Sequence, residues 1–263
     1  MNIFLILGAI IGFGGVIYGY SAEGGSLINL LKAPALSIVL GGTFGVALIA
    51  FPLNNIKRIP SALKKILLSR RHNYDQLVEM LCDIANKARK DGLLSLESEA
   101  DKIKDPFIKK GLGYIADGVD PEFLRKVLNN EIETAYRNLE AAAKVFEGMG
   151  GTSPTMGVLG TVMGMVTVLG HMGSDTSKIG ESIAGAFVAT MYGVGFANLI
   201  WLPLGSHIKV VAEHETEYQE VVLEGLMAIQ SGEPSSRLRD RLYAKIGNVK
   251  QKGAPAAKVE DKV

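Results

Sequence analysis

Two apolar segments, residues 152–173 and 182–207, contain the residues whose types and spacing could serve ion transport. Each segment lacks Lys, Arg, Asp and Glu but has a proline and a threonine: Pro154, Thr161, Thr190 and Pro203. Pro154 and Thr161 are seven residues apart and therefore lie on nearly the same face of a helix. A proline in a spanning helix leaves one carbonyl oxygen without its intrahelical donor, so neighbours or water must satisfy that oxygen. Together these residues indicate a partly wet seam between two helices.

The seam has no ionisable group of its own. A threonine in a membrane helix most often donates to its own backbone, which is the simpler explanation for each hydroxyl alone. A path driven by the proton motive force normally needs an acid within the membrane, and these two segments contain none. If the chain conducts protons, a partner chain must supply the carboxylate.

A charged stretch, ARKDGLLSLE at residues 88–97, is the second candidate site. Arg89 and Lys90 precede Gly92, and Glu97 follows it. Cations at the end of one helix and an acid near the start of the next complement the helix dipoles. The pattern alone therefore leaves both a structural role and a binding role open.

The composition excludes several classes of protein. A formal net charge of +1 gives no basic domain for nucleic acid. The single cysteine, Cys82, rules out an internal disulfide and a cysteine-rich metal site, and its spacing predicts a buried position on a helix. The sequence has no phosphate-binding loop, nucleophile motif or paired metal ligands, and its four histidines are isolated. We expect no enzyme activity, no cofactor and no metal.

The elements that position these residues are predicted to be membrane helices. Four apolar blocks indicate an all-α integral membrane protein with four transmembrane helices, since about 20 apolar residues cross a bilayer. Small residues of the last two blocks recur at helix-packing spacing: Gly157, Gly160, Gly164, Gly185, Ala189 and Gly193. The predicted segments are two spans in 1–53, a helical cytoplasmic domain in 54–150, two spans in 151–207, cytoplasmic helices in 208–247 and a disordered tail in 248–263.

The distribution of cations predicts the orientation. Residues 54–150 hold 17 Lys and Arg and residues 209–263 hold nine, whereas the two short links hold one each, Lys32 and Lys178. The positive-inside rule therefore places the long segment and both termini in the cytoplasm.

Local signals predict several short helices in the cytoplasmic segment. Asp105 and Asp120 each precede a proline and are expected to be helix N-caps. Three glycines are expected at helix ends: Gly92, Gly113 and Gly118. A basic amphipathic stretch that begins at Ile59 suits either attachment to the membrane surface or a solvated helix.

Several separated motifs, in order along the chain, are similar to those of the MotA/PomA flagellar stator family. They are ARKDGLLSLE, FIKKGLGYIADGVDPEFLRKVLNNEIE, SPTMGVLGTVMGMV, AFVATMYGVGFANLIWLPL and MAIQSGEPSSRLRDRL. The resemblance covers nearly the whole chain apart from its C-terminal tail. It implies a stator subunit of the bacterial flagellar motor in the cytoplasmic (inner) membrane, which couples ion flow to torque on the rotor.

The resemblance also implies partners and site residues. Family members form a homopentameric ring around two copies of a MotB-type subunit, whose single span carries the ion-binding aspartate, and they push on the rotor protein FliG. By motif position, the charges that contact the rotor fall on Arg89, Lys90 and Glu97. The ion pathway falls on Pro154, Thr161, Thr190 and Pro203.

The identity of the ion and two other functions stay open. We expect protons, because Lys32 stands near the position where sodium-type relatives tend to carry an acid. Thr161, which occurs in sodium-type relatives, keeps Na⁺ as the alternative. A transducer of proton motive force of the ExbB/TolQ type and a plain channel or transporter subunit are the competing functions. Four spans and the ARKDGLLSLE motif favour the stator over the transducer.

Overall fold

The computed structural model describes residues 3–68, 72–170 and 176–252, and nearly all of these residues are helical. The helices are α1 Ile3–Ala22, α2 Leu27–Leu30, α3 Ala33–Ala50, α4 Leu53–Lys57, α5 Ile59–Leu68, α6 Tyr74–Asp91, α7 Leu96–Ala100, α8 Pro106–Ala116, α9 Pro121–Gly170, α10 Thr176–Phe196, α11 Leu202–Gln230 and α12 Ser235–Lys252. A 3-10 helix, Leu93–Ser95, precedes α7, and a π-helical turn, Ala197–Trp201, joins α10 to α11. The predicted all-helical class is confirmed.

In the part of the chain that the structure describes, three stretches of helix are long and apolar enough to cross a membrane: Ala33–Ala50, Pro121–Gly170 and Ser182–Gln230. The apolar part of α1, Ile6–Ala22, is shorter. The last two predicted spans therefore extend into long helices that continue well beyond a bilayer thickness, because α9 alone has 50 residues and rises about 1.5 Å per residue.

The helix bounds differ from two of the predicted segment limits. The predicted limit between residues 150 and 151 falls inside α9, which continues without interruption from Pro121 to Gly170. Helix α12 extends to Lys252 and so includes the first part of the tail predicted to be disordered from Asn248. Residues 253–263 lie outside the described residues.

The chain divides into two compact units, residues 1–70 with 137–212 and residues 71–136 with 213–263. In the first, which we call the membrane unit, α10 packs against α3, and Ala35, Val188 and Ala189 form a small buried cluster. Trp201 fixes the π-helical turn, since its ring meets Phe44 edge-on at 5.8 Å and stacks on Phe146 at 6.4 Å.

The second, which we call the cytoplasmic unit after the side of the membrane predicted for it from the sequence, has a larger apolar core. Parts of α6, α7, α8, α9, α11 and α12 bury leucines that are fully inaccessible to solvent: Leu81, Leu96, Leu112, Leu124, Leu128, Leu226 and Leu238. The predicted burial of Cys82 is confirmed, because the thiol lies in this core. An ion pair between Arg239 of α12 and Glu79 of α6, at 2.9 Å, lies at the periphery.

The helix caps follow the sequence with one exception. The Asp105 carboxylate accepts hydrogen bonds from the amides of Phe107 and Ile108, and Asp120 caps α9 in the same way. Gly92 and Gly118 lie at helix ends with φ of +83° and +70°, a region that glycine enters without steric cost. The prediction for Gly113 is wrong, because this residue lies inside α8.

A polar network in the cytoplasmic unit includes Asp105, the N-cap residue of α8. The Tyr218 hydroxyl donates to Asp105 Oδ2 at 3.0 Å, and its ring stacks on His72 with centroids 3.8 Å apart. His72 Nε2 in turn lies 2.9 Å from Glu215 Oε1. Burial, together with the negative charge of Asp105, raises the pKa of Tyr218 well above its ordinary value. The network therefore joins the start of α6, the N-cap of α8 and the middle of α11.

Candidate functional site

Helices α9 and α10 approach so closely that only glycine fits where their backbones meet. A Cβ atom at Gly157 would lie 2.9 Å from the carbonyl oxygen of Ala189, and one at Gly193 would lie 2.6 Å from the carbonyl oxygen of Ser153. These distances are shorter than Cβ atoms adopt, and the opposing atoms belong to the backbone. A side chain at either position would push the two helices apart.

The other predicted small residues of α9 also contact α10 within the chain. A Cβ atom at Gly160 would lie 2.7 Å from that of Ala189, and one at Gly164 would lie 2.6 Å from that of Ala186. Nothing in the described part of the chain lies within 4 Å of a Cβ built at Gly185, so this glycine does not contact α9. One residue turns a helix by about 100°, so Ala186 faces α9 and Gly185 does not.

This close contact brings the side-chain hydroxyls of Thr161 and Thr190 into a hydrogen bond with one another. Thr161 Oγ1 also lies 3.0 Å from the carbonyl oxygen of Ala186 on α10 and 3.1 Å from that of Gly157 on its own helix. Thr190 Oγ1 lies 3.5 Å from the Gly157 carbonyl oxygen. Both threonines are half-buried. We call this arrangement the threonine pair.

The threonine pair has more acceptors than protons. Each hydroxyl has one proton and two lone pairs, and the pair is surrounded by two carbonyl oxygens. When Thr190 donates to Thr161 and Thr161 donates to Ala186, both lone pairs of Thr190 and one of Thr161 stay available. Such oxygens can replace part of the hydration shell of a passing cation. The hydrogen bond between them also gives a proton a route from one hydroxyl to the other.

The two predicted pathway prolines lie outside the threonine pair, Pro154 on α9 and Pro203 on α11. Pro154 is half-buried within α9, seven residues before Thr161, which is about 10 Å along the helix. Pro203 is exposed and follows the π-helical turn Ala197–Trp201 directly. A proline cannot donate to the carbonyl four residues earlier, and a π-helical turn is one accommodation of an interrupted helix, frequent at functional sites.

Two buried hydroxyls are not among the site residues predicted from the sequence. Thr43 of α3 and Ser153 of α9 have no exposed surface, and neither oxygen has a hydrogen-bond partner among the described residues. The signal for Ser153 was its spacing, because it lies four residues before Gly157 on the packing face. Thr155, which the apolar segment also contains, is exposed and donates to the carbonyl oxygen of Thr152 at 2.6 Å. Thr155 therefore behaves as most threonines in membrane helices do, because its hydroxyl donates to the backbone of its own helix.

The second candidate site, residues 88–97, forms a rigid turn in the cytoplasmic unit, which we call the charged turn. Helix α6 ends at Asp91, and Gly92 reverses the chain into the short helix Leu93–Ser95. The Ser95 hydroxyl donates to the Gly92 carbonyl oxygen at 2.6 Å. Leu96 is fully buried in the core. The burial of Leu96 and the hydrogen bond from Ser95 to the Gly92 carbonyl oxygen therefore stabilise the turn.

The three predicted rotor-contact residues are exposed on the charged turn. Arg89, Lys90 and Glu97 form no ion pair within the described part of the chain. Neighbouring charged residues, in contrast, form ion pairs with one another: the Glu99 carboxylate binds Lys102 at 2.7 Å and Lys87 at 2.9 Å. The hydrogen bonds from Lys102 and Lys87 hold the pKa of Glu99 below its ordinary value. The charges with no internal partner are thus the ones available to another molecule.

Comparison with known proteins agrees with this architecture. Residues 99–252 match the model of the MotA/TolQ/ExbB proton channel family, and residues 6–92 match that of the motility protein A N-terminal region. Motility protein A of Bacillus subtilis is 31% identical over 90% of this chain and 88% of its own length.

Two solved structures have the same fold. The flagellar MotAB stator complex from Bacillus subtilis matches with a TM-score of 0.84 and 30% identity, covering 95% of this chain and 99% of that one. The MotAB structure from C. jejuni matches with a TM-score of 0.87 and 25% identity, covering 93% and 96%. The resemblance in the sequence motifs is confirmed over nearly the whole chain, and the protein belongs to the MotA/TolQ/ExbB proton channel family as a MotA-type flagellar stator subunit.

Proposed function

We propose that this stator subunit conducts ions past the threonine pair and converts their flow into torque through the charged turn. The observation that carries the proposal is the hydrogen bond between Thr161 and Thr190, placed where two helices of membrane length meet without any acid. Paired hydroxyls can replace part of the hydration shell of an ion as it passes a carboxylate, and they do so without binding the ion tightly. Two hydroxyls supply only part of the oxygen shell that a cation needs, so further ligands must come from another group.

The carboxylate is proposed to come from a MotB-type subunit. The absence of Lys, Arg, Asp and Glu from 152–173 and 182–207 supports this, as does the similarity to chains solved within MotAB complexes. In this arrangement α9 and α10 face the partner, and the prolines Pro154 and Pro203 shape the helices on either side of the threonine pair.

The proposed topology has four spans, with the cytoplasmic unit and both termini in the cytoplasm, and the copies form a pentameric ring. The excess of cations in residues 54–150 supports the orientation. The apolar surface of α1 supports a first span, since Ile10, Ile11 and Tyr18 are exposed in the single chain. Lipid and neighbouring copies would cover this surface.

The rotor protein FliG is the proposed target of Arg89, Lys90 and Glu97. Their exposure and their lack of partners within the described residues support this role. The transported ion is proposed to be the proton, with Na⁺ as the alternative. The description of the matched family as a proton channel family supports the first, and so does Lys32 in the first link.

A transducer of the ExbB/TolQ type is the alternative within the same broad family. The match of residues 6–92 to the motility protein A N-terminal model favours the stator, because this region includes the charged turn up to Gly92. The test is rotation of tethered cells that lack their own stator genes and express this chain with a MotB-type subunit. Restored rotation that an uncoupler stops, and that does not change with sodium concentration at fixed pH, is the expected result. Absence of rotation despite a stable complex in the membrane would contradict the stator assignment.

A further inference from the structure

We propose that Leu94 is an apolar anchor that inserts into the rotor surface, while the charges of the charged turn orient the contact. The inference rests on the proposed function, because it adds a residue to the same contact. The partner surface it requires is a protein face with an apolar pocket and with both acidic and basic side chains near that pocket.

Leu94 is the most exposed large apolar side chain among the described residues of the cytoplasmic unit. It is 74% exposed, compared with 51% for Phe123 and 42% for Tyr243. The other two have internal partners, since Phe123 meets Tyr114 edge-on at 6.3 Å and Tyr243 donates to Asp75 at 3.2 Å. Single exposed leucines are common on protein surfaces, so the position of this one decides its meaning.

The fold holds Leu94 outward. Its neighbours Leu93 and Leu96 pack on the core of the cytoplasmic unit, and Leu96 is fully buried. The positive φ of Gly92 and the hydrogen bond from Ser95 fix the backbone between them. A side chain presented on a rigid turn loses little conformational freedom on binding, which favours affinity. Leu94 contributes nothing visible to the core, so its apolar surface is available to a partner.

The surroundings of Leu94 match the anatomy of an interface centre. Arg89 and Lys90 precede it and Glu97 follows it, all exposed and without ion pairs among the described residues. Protein interfaces place a few buried anchors within a rim of polar and charged groups that excludes water. Asp91, also exposed, lies between Lys90 and the leucine in the sequence. Charges of both signs therefore lie within five residues of Leu94, and a partner with complementary charges is favoured over others.

The direct test is photo-crosslinking in cells that swim on the complete stator complex. A benzoylphenylalanine residue replaces Leu94 in one strain and Phe123 in the control strain. The expected result is an adduct with the rotor protein from position 94, absent from position 123 and lost when Arg89→Glu is added. An adduct only with a second copy of this chain, or equal rotor adducts from both positions, would overturn the proposal.

A functional test separates the proposed role of Leu94 from the proposed stator function. Leu94→Gln is expected to lose torque at high load while its co-purification with the MotB-type subunit is unchanged, and Leu94→Met is expected to restore torque. Phe123→Gln is the matched control and retains torque. Full torque in Leu94→Gln together with a loss in Arg89→Glu would reject the anchor and leave the stator function standing. Loss of co-purification in Leu94→Gln would assign the leucine to assembly and overturn the proposal.

Discussion

Thr161 of α9 and Thr190 of α10 are joined by a hydrogen bond between their side-chain hydroxyls, across a helix contact formed by glycine and alanine. Neither hydroxyl is used only to satisfy its own backbone, because Thr161 also reaches the carbonyl oxygen of Ala186 on the facing helix. Two features of the sequence, the small residues and the threonines, therefore belong to one arrangement. The glycines allow the approach, and the approach creates the pair.

The first prediction concerns the pair itself. Thr190→Val keeps the shape of the side chain but removes the hydroxyl. Thr161 then loses its hydrogen bond to Thr190 and keeps only the carbonyl oxygens of Gly157 and Ala186. We expect ion-driven rotation to be impaired, and the double variant with Thr161→Val to be little worse than either single variant, because both act on one hydrogen bond. Rotation speed against ion concentration measures the effect. Thr155→Val is the control, and a loss as large in this variant would contradict a specific role for the pair.

The second prediction concerns the close approach of α9 and α10. Gly157→Ala places a methyl group against the backbone of Ala189, and overpacking of this kind typically costs about 1–3 kcal/mol. We expect a lower melting temperature of the purified stator complex and reduced motility. Gly113→Ala is the control, since nothing in the described part of the chain lies within 4 Å of a Cβ built there and α8 is not one of the helices proposed to face the partner. Equal effects of the two substitutions would show that the helices are not packed as described.

The third prediction concerns the charged turn. Arg89→Glu is expected to weaken motility without reducing the amount of protein in the membrane, because Arg89 is exposed and no described residue pairs with it. A reversed charge on the rotor protein should restore part of the motility. Arg125→Glu changes an equally exposed cation on α9 and is expected to swim normally. Normal swimming of the Arg89 variant at high load would count against the rotor contact.

The fourth prediction concerns stability at alkaline pH. Tyr218→Phe removes the hydrogen bond to Asp105 and is expected to destabilise the cytoplasmic unit by about 1 kcal/mol near neutral pH. The raised pKa of Tyr218 means that its contribution is present in full below the unfolded pKa of about 10 and is lost as the pH rises towards the folded pKa.

Thermal unfolding of the stator complex against pH measures this difference. The gap in melting temperature between the wild type and Tyr218→Phe should narrow above pH 10. A constant gap over the whole pH range would show that the hydroxyl does not ionise less readily in the folded protein.

Much of the fold could be predicted from the sequence because its signals are local. Aspartate before proline predicted the caps of α8 and α9, and both are confirmed. Spacing placed Cys82 in the core. The glycine-rich faces of the last two apolar blocks also follow from spacing alone, apart from the one-residue choice between Gly185 and Ala186, which depends on how the two helices are rotated against each other.

Other features depend on tertiary packing and could not be predicted. Gly113 lies inside α8 because Leu112 and Ile115 on either side of it are buried in the core, and this packing outweighs the cost of a glycine within a helix. The hydrogen bond between Thr161 and Thr190 requires the register of two helices, which periodicity does not fix. The outward position of Leu94 likewise follows from the burial of Leu93 and Leu96.

The central claim is that this chain lines an ion path but does not complete it. The most direct measurement is proton flux into liposomes that contain either the purified chain alone or the complex with its MotB-type subunit, each with an imposed pH gradient and membrane potential. The chain alone is predicted to leave the gradient intact, and the complex to dissipate it until the acid of the partner's span is replaced by its amide. Rapid dissipation by the chain alone would contradict the account.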